Sequence, residues 1–269
     1  MTYTKGLPML AKNRAKYIIE KLGITKPEDI DLTYIAWELK TAIKETPLQG
    51  YEVRIVKLGQ NAVISVNKEI VEPGKKRFVV AHELGHLQLE HEVNQLALCS
   101  DNDLAARQKG NADEYDSNTF AGELLMPESI FRPFTNPDPS PEMLREIANK
   151  FQTSFMSSMI RYAELTPDRV AVVCSQDKAI KWAQVSESFG HRIEIGSMLS
   201  SKTHARDFYS GTTLSSKFES VEAEGWITDR KVRQDALVKE FSLAMPTYNS
   251  VLSVVWLDRA VEDEDDDSD

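Results

Sequence analysis

The stretch AHELGH, residues 81–86, decides how the first half of this 269-residue chain is interpreted. It lies in a largely apolar run without proline, Phe78 to Leu89, and such a run predicts a helix. Residues four apart on a helix share a face, so His82 and His86 can each offer one imidazole nitrogen to a single ion. Zinc accepts such nitrogens in a tetrahedral site, and a catalytic zinc keeps one position for water. The spacing therefore predicts a zinc site on this helix.

Glu83 follows the first histidine and lies about 100° around the helix from it. That direction suits a carboxylate that reaches a metal-bound water better than one that joins the coordination shell. Such a carboxylate can take the proton of the water and later pass it to a leaving amine. The alternative is an ordinary helix with two surface histidines. It is disfavoured because three of the five histidines, His82, His86 and His91, fall within ten residues.

The third ligand decides the class of metal site. A metzincin would carry a glycine three residues after His86 and a histidine six residues after it, but these positions hold Leu89 and Glu92. The metzincin class is therefore excluded. His91 lies about 140° around the helix from His86, off the metal face. We interpret it as a cation at the helix end, near the last carbonyl groups.

A gluzincin takes its third ligand, a glutamate, from a later helix. The residues from Glu114 to Met126 have a strong helical pattern, which Pro127 stops. Glu114 and Asn118 share one face of it, so we expect Glu114 to bind one zinc per chain with His82 and His86. Asn118 would then fix the outer nitrogen of a ligand histidine. Asp113 and Asp116 are the competing ligands.

At this point the sequence resembles a known family. RFVVAHELGH at 77–86, followed by the helix that ends FAGELLMP at 120–127, is similar to the ImmA/IrrE family of zinc metallopeptidases. The strand-like ISVN at 64–67 fits the same family. One departure is DSN at 116–118, where the family usually has Glu-Ala-Asn or Glu-Ala-Asp. Glu123 and Met126 are expected to be packing or helix-end residues.

The resemblance implies a function. Members of the family typically cleave a helix-turn-helix repressor, and the implied substrate is an XRE-type repressor in a stress-response or mobile-element switch. The alternative is a regulator that keeps the zinc-peptidase fold and binds DNA or a repressor without cleaving. The chemistry-bearing residues His82, Glu83, His86 and Glu114 are all present, which favours the enzyme.

The pattern along the chain predicts an α+β fold. Alternating apolar residues before and after Gly59 predict a β-hairpin, whose second strand, residues 62–66, we expect at a sheet edge where an extended substrate can pair with it. Four prolines between 131 and 141 indicate a linker, and Ser140 and Pro141 are placed to begin a helix. Short strand-like segments follow at 170–174, 179–183, 193–195 and 251–257. We expect four parts: a gluzincin-like peptidase domain at 1–135, a helical HTH-like module at 136–167, a β-rich, sensor-like domain at 168–258, and a disordered acidic tail at 259–269.

Composition limits the partners. The formal net charge is −10, but seven acids lie between 262 and 269, and the rest of the chain has 35 acids against 32 bases. A nearly neutral body disfavours non-specific nucleic-acid binding. The second helix of the HTH-like module offers Ser154, Ser157, Ser158 and Arg161 but little else that could read base edges, so we expect a structural or substrate-docking role for it rather than DNA binding. The basic residues 75–77 are interpreted as a solvated helix start or, alternatively, as a contact for an acidic substrate.

Two further features bear on location. Cys99 and Cys174 are too far apart in the sequence for a disulfide framework or a metal knuckle, and are expected to be reduced and buried. No apolar run reaches the roughly 18 residues of a membrane helix, and the N-terminus lacks the apolar core of a signal peptide. We therefore expect a cytoplasmic protein without a membrane partner.

Overall fold

The computed structural model describes residues 7–91, 112–135, 139–228 and 236–257, with side chains from residue 9 onward. They form an α+β structure of two compact units, one built from residues up to 131 together with 147–157, the other from 132–146 together with residues from 158 onward. Cys99 and the acidic tail lie outside the described residues. The domain boundaries expected from the sequence stay predictions.

The first unit contains a small sheet and the helices of the metal motif. Its elements are α1 Leu7–Lys21, α2 Leu32–Glu38, β1 Thr41–Thr46, β2 Val53–Leu58, β3 Asn61–Asn67, α3 Pro73–Gln88, α4 Ala112–Leu125 and α5 Glu128–Phe131. The second helix, α2, begins after Asp31, whose carboxylate accepts hydrogen bonds from the Thr33 and Tyr34 amides at 2.8 and 3.2 Å. Such a side-chain cap satisfies amides that the first helical turn leaves without partners.

The predicted hairpin is confirmed, but its position in the sheet is not. β2 and β3 pair in antiparallel register, with Ile55 opposite Ile64. The strand order is β1-β3-β2, and β3 also pairs with β1 in parallel, with Ile43 opposite Ile64. β3 is thus the central strand and both its edges are occupied. The expectation that residues 62–66 pair with an extended substrate is therefore wrong.

The basic residues 75–77 at the start of α3 make ion pairs and a hydrogen bond to other parts of the first unit. Lys75 pairs with Glu52 at 2.6 Å, and Lys76 pairs with Glu45 of β1 at 2.9 Å. The Arg77 guanidinium donates to the Ile30 carbonyl at 3.0 Å. Each of the three cations therefore has a partner within the chain. This arrangement differs from both interpretations of the sequence, a solvated helix start and a contact for an acidic substrate.

The second unit is built on an antiparallel sheet. Its elements are the following: β4 Val170–Gln176, β5 Ala179–Val185, α8 Ala205–Phe208, β6 Glu219–Glu222, β7 Leu237–Met245 and β8 Ser250–Trp256, together with most of α7 Phe155–Leu165. The strand order is β5-β4-β8-β7-β6. The predicted strand at 193–195 is wrong. Ile193 is buried in the apolar core of this unit, but residues 193–195 lie in a loop that Gly196 closes with a φ of +89°.

The two helices of the HTH-like segment are present. α6 spans Pro141–Phe151 and begins as predicted, since the Ser140 hydroxyl accepts from the Met143 amide at 3.2 Å. The turn after α6 packs in the first unit, where a Cβ on Gly74 would clash with the Ser154 amide nitrogen. Of the side chains on α7 considered for base reading, Ser157, Ser158 and Arg161 are buried. They are therefore not exposed to read base edges.

Two observations concern the expected location. Across the described ranges, no helix combines the length and the apolar character that crossing a bilayer requires. Cys174, the cysteine in the described part of the chain, is buried and outside any disulfide, and burial raises the pKa of its thiol to about 11.

Candidate metal centre

Two helices of the first unit, α3 and α4, carry the side chains that the sequence singled out. They approach closely at Gly85, where an added Cβ would lie 3.0 Å from the Ser117 Cα and 3.2 Å from the Phe120 ring. An alanine here would need Ser117 or Phe120 to shift by a few tenths of an ångström. The glycine inside the AHELGH stretch therefore has a packing function, which brings the start of α4 within reach of the two histidines.

The structure brings His82, His86 and Glu114 together. Their ligand atoms all lie within 4.8 Å of one another. The Glu114 carboxylate has one oxygen 3.1 Å from His82 Nε2 and the other 3.3 Å from His86 Nε2, and the two Nε2 atoms are 3.0 Å apart. Both histidines are buried, whereas the Glu114 side chain is about one third exposed. The three donors thus converge on one point at the rim of the buried region.

This donor set suits zinc. Two imidazole nitrogens and one glutamate oxygen form the His₂Glu set of known catalytic zinc sites. Zinc bonds of roughly 2.0–2.2 Å in a tetrahedron would hold ligand atoms roughly 3.3–3.6 Å apart. The spacings of 3.0–3.3 Å between the donor atoms are close to that requirement. These three residues are therefore placed closely enough to bind a metal ion.

Asn118 lies one helical turn after Glu114 and contacts the outer nitrogen of His82. Asn118 Oδ1 and His82 Nδ1 are 2.9 Å apart, and both residues are buried. An amide oxygen can only accept, so His82 Nδ1 must carry the hydrogen. When the ring is neutral, the lone pair of His82 is then on Nε2, the atom that faces Glu114.

Glu83 is completely buried on the turn of α3 that carries His82. Burial opposes protonation of His82, but its hydrogen bond with Glu114 and the charges of Glu83 and Glu114 outweigh that effect and raise its pKa. The hydrogen bond with His82, followed in size of effect by the one with His86, holds the pKa of Glu114 well below its usual range. Glu114 is thus an ionised carboxylate, which is the form that binds a cation.

The competing acids lie elsewhere on α4. Asp113 has its Oδ1 3.7 Å from His91 Nε2, and Asp116 is buried. Burial raises the pKa of Asp116, which disfavours its charged form. Within the described residues, the group of three ligand atoms includes neither aspartate. Glu123 does act at a helix end, because its Oε1 accepts from the Glu128 amide at 3.0 Å at the start of α5.

The structure places His91 differently from the sequence prediction. Its Nδ1 lies 3.1 Å from His86 Nδ1 and 3.3 Å from the Ser117 hydroxyl. The interpretation of His91 as a helix-end cation is wrong, because burial lowers the pKa of His91 and its ring contacts the outer side of His86. The angle of about 140° between His86 and His91 holds only if the helix continues to residue 91, whereas α3 ends at Gln88.

The other two histidines belong to the second unit and are bound there. His191 Nε2 lies 2.8 Å from the Arg169 guanidinium. His204 Nε2 accepts from the Ser215 amide at 2.9 Å, and its Nδ1 lies 3.2 Å from Asp207. The hydrogen bonds of His204 join α8 to the following loop, a structural role that sequence alone did not reveal.

Comparison with known proteins bears on the first unit most directly. The Peptidase M78 family, described as the IrrE N-terminal-like domain, matches residues 38–161. A Bacillus phage phi105 protein, uncharacterized immunity region protein 2, is 28% identical over 138 residues, which are 49% of this chain and 78% of that protein. A Mycobacterium tuberculosis transcriptional regulator of known structure has a TM-score of 0.55 at 13% identity and aligns over 98% of this chain and 94% of that one, a likeness of fold alone. Residues 38–161 thus form an IrrE N-terminal-like domain of the Peptidase M78 family, which confirms the resemblance to the ImmA/IrrE family for this part of the chain.

Proposed function

We propose that the chain is a zinc-dependent endopeptidase. The observation that carries this proposal is the convergence of His82, His86 and Glu114 within 4.8 Å, with Glu83 buried beside His82. One zinc per chain would be held by these three side chains. A bound zinc supplies a Lewis acid that polarises a carbonyl group and lowers the pKa of water. The match to the Peptidase M78 family supports the same reaction class.

The side chains of this site have separate tasks in peptide hydrolysis. Glu83 accepts a proton from the attacking water and returns it to the amine that leaves, so one carboxylate serves both halves of the reaction. Glu114 adds a negative charge to the ligand set, which favours a divalent cation. Asn118 orients His82 so that its Nε2 lone pair points inward.

The substrate we propose is a helix-turn-helix repressor of the XRE type. The family resemblance implies it, and the likeness to a phage immunity-region protein supports a switch in a mobile element, with a stress-response switch as the related possibility. A repressor is found in the cytoplasm, so the proposal puts the reaction there. DNA is not the proposed partner, because Ser157, Ser158 and Arg161 of α7 are buried.

The test uses the full, zinc-loaded chain and the repressor encoded nearest to its gene. Incubation should give two repressor fragments, with a single new terminus found by mass spectrometry. Removal of zinc by a chelator should stop the reaction, and added zinc should restore it. Tight binding of the repressor without fragments, with or without zinc, would contradict cleavage and favour the non-cleaving regulator.

A further inference from the structure

The end of α3 has a chain reversal that returns the backbone toward the metal centre. The Leu89 amide donates to the Gly85 carbonyl at 3.0 Å, and the His91 amide donates to the His86 carbonyl at 3.1 Å. Between them, Glu90 has a φ of +58°, in the left-handed region. The bond from the His91 amide to the His86 carbonyl, with the left-handed Glu90 before it, defines a Schellman turn. The turn folds His91 back instead of letting it continue around the helix.

The returned His91 ring contacts His86 on the side opposite to the proposed metal. The two Nδ1 atoms are 3.1 Å apart, and the rings meet edge to face with their centroids 5.2 Å apart. The other ring nitrogen of His91 lies 3.7 Å from Asp113 Oδ1. The His91 side chain is only 10% exposed, so protein atoms rather than bulk solvent surround most of the ring.

The hydrogen positions follow from what His86 must do. His86 Nε2 faces His82 and Glu114, and it can bind a metal only through its lone pair. The hydrogen of His86 is then on Nδ1, and the atom 3.1 Å away must accept it. His91 Nδ1 can accept only if its own hydrogen is on Nε2, which is the nitrogen that faces Asp113. One arrangement of hydrogens therefore satisfies all three side chains.

We propose that His91 is a positioning residue for the metal centre. It holds His86 in the tautomer that binds metal, as Asn118 is proposed to do for His82. This inference rests on the proposed zinc site. Neither His91 nor Asp113 binds the metal in it. Asp113 orients His91, and the Schellman turn at Glu90 fixes where the His91 ring lies.

The first test measures zinc affinity by competition with a chelator, on the full chain. Loss of an outer partner of a ligand histidine typically costs about 10- to 100-fold in metal affinity, and we expect that loss for His91→Ala. His91→Gln should recover most of the affinity, because its amide oxygen can accept from His86 Nδ1. A wild type that binds zinc while His91→Ala binds it equally well would overturn this inference and leave the proposed function standing. A wild type that binds no zinc would overturn both.

A pair of substitutions at Glu90 tests whether the turn delivers His91. Glu90→Gly suits the left-handed conformation and should keep the zinc affinity of the wild type. Glu90→Val adds a β-branched side chain where φ is +58° and should weaken zinc binding as His91→Ala does. Equal affinities for Glu90→Gly and Glu90→Val would contradict the role of the turn.

A second measurement needs no variant. Imidazole ¹H–¹⁵N spectra of the zinc-loaded wild type should show His91 protonated on Nε2 alone, and a slowly exchanging hydrogen on His86 Nδ1. A hydrogen on His91 Nδ1 would put two donors face to face and would overturn the inference, whatever the variants do.

Discussion

The backbones of Gly85 of α3 and Ser117 of α4 lie so close together that a Cβ on Gly85 would stand 3.0 Å from the Ser117 Cα. This contact sets how closely the helix of the two histidines approaches the helix of Glu114. Two of the three nearest atoms, the Ser117 Cα and the Ser117 carbonyl oxygen at 3.2 Å, belong to the backbone and cannot move cheaply. The position of Glu114 relative to the histidines therefore depends on a residue without a side chain.

Gly85→Ala should destabilise the chain although alanine is the better helix former. Alanine gains about 1 kcal/mol in helix propensity, whereas overpacking costs typically about 1–3 kcal/mol. We expect a lower free energy of unfolding, measured in urea, and weaker zinc binding. The control is Gly122→Ala in α4, where the added Cβ meets nothing within 4 Å and stability should rise by up to about 1 kcal/mol. Higher stability with unchanged zinc binding in Gly85→Ala would refute the packing argument.

Glu114→Ala should lower the zinc content of the purified protein below the one ion per chain expected for the wild type. The variant loses an ionised ligand whose two oxygens lie 3.1 and 3.3 Å from the histidine nitrogens. Asp116→Asn is the matched control on the same helix and should keep its zinc, because Asp116 is not in the group of three donors. Elemental analysis measures both. The opposite result, zinc kept in Glu114→Ala and lost in Asp116→Asn, would move the third ligand to Asp116.

Asn118→Ala should weaken zinc binding by about 10- to 100-fold, because the buried Nδ1 of His82 loses its acceptor. Asn118→Asp should bind nearly as tightly as the wild type, since a carboxylate oxygen can accept the same hydrogen. The measurement is chelator competition, with thermal unfolding as the check that both variants fold. Equal affinities for all three proteins would show that His82 needs no partner.

Glu240 of β7 makes the stability of the second unit depend on pH. Burial raises the pKa of Glu240 above its ordinary value of 4.5, although its carboxylate accepts from Ser242, Trp226 and the amides of His204 and Ala205. A raised folded-state pKa gives a stabilisation that is fully present below the unfolded value and is lost as pH rises through the folded value.

Glu240→Gln removes this titration but leaves an amide facing several donors, which should cost about 1–3 kcal/mol at every pH. The free energy of unfolding of the wild type should therefore exceed that of Glu240→Gln by an amount that shrinks as pH rises above 4.5. Urea unfolding can be followed by tryptophan fluorescence, since Trp182, Trp226 and Trp256 lie in the second unit. A difference that stays constant or grows with pH would contradict the raised pKa.

The local periodicity of the sequence was sufficient to predict the helices of the metal centre and the hairpin. A spacing of four residues fixes a shared helical face, so the side chains of His82 and His86, and of Glu114 and Asn118, could be paired from the sequence alone. The caps at Asp31 and Ser140 are also local, because each side chain reaches an amide two or three residues ahead.

Contacts that depend on distant or irregular backbone were not predictable in this way. β1 was missed because only Thr41 of its six residues is buried, so it lacks an apolar alternation, and its pairing with β3 made that strand central. Lys76 finds its partner 31 residues away, on β1. His91 was misplaced because a left-handed Glu90 interrupts the helical period that the estimate assumed.

The most direct test of the account is the cleavage rate of Glu83→Gln. Glutamine keeps the size of the completely buried Glu83 but lacks the basic oxygen that takes the proton of water. The zinc-loaded variant and the wild type would be incubated with the same helix-turn-helix repressor, with bound zinc and repressor binding measured in parallel. We predict that Glu83→Gln folds, keeps its zinc and binds the repressor, while cleavage falls by about a hundredfold or more. Cleavage by Glu83→Gln at the wild-type rate would contradict the role of Glu83 as the general base.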